Sequence, residues 1–157
     1  MLRFFLVNDP ATLVEGSERL TCIFGYWPSF HDAEVIDLHF WRGDGQFETA
    51  YGVFPILTAT FYVFSTVRDA SVPSGLTTQH ETLVTLRFHA LHQFRMDGFE
   101  FQNEIYGLDI RAEEPQAGLP NLLRVEFEAG SSMAATFHCT RIEVLRAEPW
   151  SPPARTV

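Results

Sequence analysis

The residues of this chain that could do chemistry begin with an adjacent pair, His31-Asp32, just after the rigid Trp27-Pro28 step. A histidine beside a carboxylate can hold a metal or move a proton. On a strand, however, neighbouring side chains point to opposite faces, so this pair can converge only in a turn. There the plainer reading is structural, with His31 bridging backbone groups and Asp32 accepting from nearby amides. His89 and His92 are three apart, which places them on opposite faces of a regular strand, and His138-Cys139 fails as a ligand pair by the same test. A zinc site would have to be assembled by the fold, for instance from His39, His89 and His138 on three strands. Glu126 and Glu128 share one strand face, whereas glycosidase carboxylates flank a cleft. No nucleophile elbow or dinucleotide loop is present, and the chain contains no lysine, which removes Schiff-base chemistry and the P-loop.

Contact chemistry is the stronger candidate. Trp41 lies on the same strand face as Asp37 and His39, with Asp44 in the turn that follows. An exposed tryptophan among acids resembles an interface hot spot, unless the N-terminal helix covers it.

The elements that must position these groups are mostly strands. Fifteen Phe, three Trp and four Tyr in 157 residues favour strand pairing. Residues 2–7 read as a first strand. Asp9-Pro10 then reads as a helix start, and residues 11–24 as one short helix that Gly16 weakens and Gly25 stops. Strands follow over residues 33–42, 56–67, 81–94, 104–112, 122–128 and 133–145, the last with a bulge near Arg141. Residues 69–79 read as a long polar loop. The expected architecture is mainly β, α+β with a minor helix. It is a single antiparallel meander sheet of about seven strands, curled into a half-barrel or sandwich, with a short N-terminal helix. One domain spans 1–148, and 149–157 is a Pro-rich, frayed tail.

The net charge is −9, with 4 Arg against 9 acids in residues 1–78 and 7 against 11 in 79–157. An acidic surface without a basic patch disfavours nucleic acid and anionic lipid and would speed encounter with a basic partner. Two widely spaced cysteines without a zinc or redox spacing suit a cytoplasmic protein. No segment reads as a membrane span.

Residues 26–35, Tyr-Trp-Pro-Ser-Phe-His-Asp-Ala-Glu-Val, together with the weaker stretches 86–98 and 137–145, resemble the immunity protein 50 family. The likeness runs from about residue 20 to residue 147. These are small bacterial proteins encoded beside toxins of polymorphic toxin systems. The resemblance implies a cytoplasmic, non-enzymatic protein that binds a cognate toxin and blocks it by occlusion, with no cofactor. An acidic surface agrees with a basic toxin. Contacts are expected at Trp41, Asp37 and Asp44, and secondarily at His31 and Asp32. A reading from another class is a small β-barrel that binds a ligand or metal and could act as a hydrolase. A third is a homodimer formed through a sheet edge.

Overall fold

The computed structural model describes residues 9–43, 53–118 and 120–153. The strand expected at residues 2–7 and the candidate contact Asp44 lie outside them. Asp9 caps the first helix as expected, its carboxylate accepting from Ala11 N, with Pro10 at the first helical position. The expected single helix is two: α1 (Pro10–Leu13) and α2 (Glu18–Phe24). Between them the chain runs extended, and Glu15 pairs with Glu143 like a short parallel strand. Gly25 ends α2 in the left-handed conformation that glycine adopts without steric cost.

Among the described residues eight strands follow: β1 (Glu34–Trp41), β2 (Ile56–Arg68), β3 (Leu76–His89), β4 (His92–Asp97), β5 (Gly107–Ala112), β6 (Leu123–Glu128), β7 (Ala134–Cys139) and β8 (Arg141–Pro149). They form two four-stranded antiparallel sheets, β1-β2-β3-β8 and β4-β7-β6-β5, and not one meander or a closed barrel. The reason lies at two bends. The run expected over 81–94 turns a corner after His89, with Ala90 at φ 57, and the run over 133–145 turns after Cys139. Thr140 stitches the corners together, its N–H and hydroxyl both donating to the His89 carbonyl. One long antiparallel ribbon thus crosses from the first sheet into the second, as strands do at the corners of packed sheets. The polar loop is shorter than expected, since Leu76 already pairs with Arg68. At the other end β8 runs on to Pro149, and Trp150 packs on Tyr62 while its N–H donates to Glu81 O.

The core lies between the sheets. Edge-to-face contacts run from Phe30 to Phe61 (5.3 Å), Phe61 to Phe127 (5.3 Å) and Phe127 to Phe137 (5.8 Å). Each fully buried Phe contributes about 1.5–3 kcal/mol, with a further ~0.5–1.5 kcal/mol from favourable ring pairing. Alternation supplies the rest: Val84, Leu86 and Phe88 face inward, as do Val125 and Phe127. Val14, Leu20 and Phe24 extend this core beneath the helices. The helices therefore lie against β5 and β8 and not over β1.

The first sheet meets the second along a seam at the start of β1. Asp32 N donates to Ile105 O, Ile105 N to Ala33 O, Val35 N to Asn103 O and Leu108 N to Ser29 O. Buried Asn103 folds this segment on itself by bonding both backbone groups of Glu100. The seam satisfies edge groups that would otherwise offer a pairing template.

Candidate functional site

The seam fixes the turn that carries the His-Asp pair. Ala33 N donates to Phe30 O at 3.0 Å, closing a four-residue turn. Phe30 and Asp32 both sit at positive φ, 60 and 61. Asp tolerates this region, whereas for a bulky Phe it is uncommon. The compensation is burial: Phe30 is 1% exposed and packs on Phe61 and Trp27. In this turn His31 Nδ1 and Asp32 Oδ2 meet at 3.0 Å, both more than half exposed. Among the described residues neither side chain bonds a backbone group as the structural reading expected; the side-chain bond to the backbone of this turn comes from Ser29, whose Oγ accepts from His31 N. The His31 ring instead lies 4.9 Å from that of Tyr106 across the seam.

Two adjoining clefts open beside this turn. One, of about 410 Å³, is lined by Tyr26, Pro28, His31, Asp32 and Phe64 among others. The next, of about 400 Å³, shares Asp32 and Phe64 and adds Glu34, Tyr62 and Glu104. Tyr26 and Tyr106 are each 60% exposed, unusual for rings of this size. No arginine lines either cleft. Among the described residues neither Glu34 nor Glu104 has a salt-bridge partner. Glu34 faces Glu104 across an isolated antiparallel bridge. The negative field reaches the floor of the groove. The Tyr62 hydroxyl is pushed well above its ordinary range, first by burial, then by its 2.5 Å hydrogen bond to Glu81 and by the charges of Glu81 and Glu34.

The other candidate contacts lie elsewhere. Asp37 pairs with Thr60 and Trp41 with Ile56, on the outer face of the first sheet. Trp41 is 48% exposed, and the helix expected as a cover lies along the opposite edge strand, β8. From Glu34 to Trp41 is seven residues of strand, about 23 Å, so the His-Asp turn and the tryptophan mark two ends of one edge. Around Trp41 the charge is mixed. The same face carries Arg87 bonded to Thr58, and Arg141 bonded to Glu15 and Glu143.

The metal alternative loses its geometry. His39 and His89 belong to the first sheet, and His89 bonds Glu143; His138 belongs to the second and bonds Glu113. Among the described residues no group of three or more His, Cys, Asp or Glu is placed to hold a metal. Sequence reasoning missed Tyr26, Glu34, Glu104 and Tyr106. Glu34 and Glu104 are distant in sequence, and only the seam brings them together.

Comparison with known proteins adds a decisive observation. The sequence pattern of immunity protein 50 matches residues 16–150, most of the chain. The chain belongs to the immunity protein 50 family. Its members are toxin-neutralising proteins and not enzymes. No curated protein and no solved structure matches this immunity protein. The match covers the His-Asp turn, the seam and all eight strands, so the groove is built from residues of the family region.

Proposed function

We propose that this immunity protein acts in the cytoplasm by binding a cognate toxin and physically covering its active site. Family membership over residues 16–150 carries the reading. The chemistry of the surface supports it. An excess of nine acidic charges favours encounter with a basic toxin domain, and electrostatic steering of this kind raises association rates more than it raises affinity. Exposed aromatics supply anchors: Trp41 on the same outer face as Asp37, and Tyr106 beside His31 at the seam. Asp44 stays a further candidate contact.

The test is co-expression with the toxin encoded by the adjacent reading frame. The expected outcome is survival of the host and a 1:1 complex on size exclusion. Death of the host despite soluble immunity protein, with no complex formed, refutes the reading.

A further inference from the structure

We infer that the groove at the β1 seam is the toxin-docking site and that its occupant is an arginine side chain on an exposed basic segment of the toxin. This rests on the toxin-neutralising reading and adds the face and the chemistry of the contact. Three observations converge on the groove. It has shape: two clefts share the Asp32 and Phe64 walls, giving an elongated depression at the sandwich edge. Exposed Tyr26 lines it, and exposed Tyr106 lies beside it, its ring 4.9 Å from that of His31 in the groove wall. And among the described residues its carboxylates Asp32, Glu34 and Glu104 meet no arginine, Asp32 pairing with His31, while Arg111, Arg124, Arg141 and Arg146 are paired with other acids.

An arginine suits this arrangement better than a lysine. The guanidinium is planar, so it can lie against a tyrosine ring while its fork of donors reaches two carboxylates. On the outer face, by contrast, the charge is mixed: Arg87 bonds Thr58, and Arg141 is already paired with Glu15 and Glu143. The groove is also pre-organised. The seam hydrogen bonds and the buried Phe30 hold the turn, so little loop ordering accompanies binding.

The experiment uses the full chain and the purified toxin encoded beside it, with affinity measured by calorimetry at two salt concentrations. Asp32→Asn with Glu34→Gln removes two charges, and asparagine tolerates the positive φ at position 32. Tyr106→Ala removes the exposed ring that packs on His31. The double charge variant should bind at least 30-fold more weakly and with a smaller salt dependence, and Tyr106→Ala at least 10-fold more weakly. Glu113→Gln, which removes a carboxylate outside the groove, should stay within threefold of wild type. Circular dichroism melts confirm that each variant is folded; should Tyr106→Ala unfold, Tyr26→Ala tests the exposed ring that lines the groove. Groove variants that bind within threefold of wild type, while wild type binds, overturn the inference and leave the toxin-neutralising reading standing. Absence of binding by wild type overturns both. A wild-type dimer that the groove variants split would show a second copy of this chain to be the occupant, and would overturn the inference equally.

Discussion

Gly130→Ala is expected to damage the fold and the groove together. A Cβ at Gly130 would sit 2.7 Å from the carbonyl carbon of Glu104 and 3.1 Å from Ile105 Cα, with the Glu104 oxygen closer still. These are backbone atoms, so no side chain can swing aside. The residues they belong to carry Glu104 and lead to Tyr106. Overpacking of this kind costs about 1–3 kcal/mol. Displacing the segment also stretches the seam, where Ile105 N bonds Ala33 O at 2.9 Å and Tyr106 N bonds Glu128 O at 2.9 Å. Losing one such bond adds about 1 kcal/mol. The sum is about 2–4 kcal/mol, which for a chain of this length lowers Tm by roughly 5–15 °C. The assay is a thermal melt followed by circular dichroism, with toxin affinity measured well below the transition. Affinity should fall as well, because Glu104, which lines the groove, shifts with the segment. A Tm within about 2 °C of wild type would refute the steric reasoning. A large drop in Tm with unchanged affinity would show that the seam does not position the docking surface.

Other perturbations probe separate parts of the structure. Burial pushes the Cys139 thiol up to about 12, whereas Cys22 is exposed; a thiol reagent at pH 8 should therefore label one cysteine per native chain and two after unfolding. His92 is held below its ordinary 6.5 by burial and then by His138. The neutral ring is thus the favoured folded form, and its contribution to stability is present above about 6.5 and is lost as pH falls through the lower folded value. Urea midpoints at pH 7.5 and 5.5 should converge when His92→Phe removes that titration; an unchanged difference would contradict the assignment. Arg141 bonds Glu15 and Glu143 at 2.8 Å each but is 42% exposed, so Arg141→Ala should cost about 1 kcal/mol or less in urea unfolding, and a loss of several kcal/mol would mean that these pairs hold the helical segment in place.

Much of the strand content could be read directly because one-sided burial imposes a period of two. Leu123, Val125 and Phe127 against Arg124 and Glu126 form β6 as the alternation requires. The corners were hidden for a physical reason. Neither Ala90 nor Thr140 is a Gly or Pro, and the bend depends on Thr140 reaching the His89 carbonyl, a long-range contact with no local signature. Ile36 shows the same limit: by position it alternates with Leu38 and Phe40, yet a bulge between Val35 and Asp37 turns it outward, and Val35 and Leu38 face the core. At the site, the His-Asp turn was legible because Trp27-Pro28 and the strand after it bracket a turn. The acidic wall was not, since Glu34 and Glu104 become neighbours only through seam pairing.

The central claim is that this immunity protein neutralises its toxin as a stoichiometric cover. The most direct measurement is a titration of purified toxin activity, with toxin held well above the dissociation constant. Occlusion predicts a linear fall that reaches zero at one equivalent and full recovery of active toxin when the complex is dissociated. Complete inactivation by a small fraction of an equivalent, or toxin that stays inactive after separation, would show that the protein acts by catalysis and contradict the account.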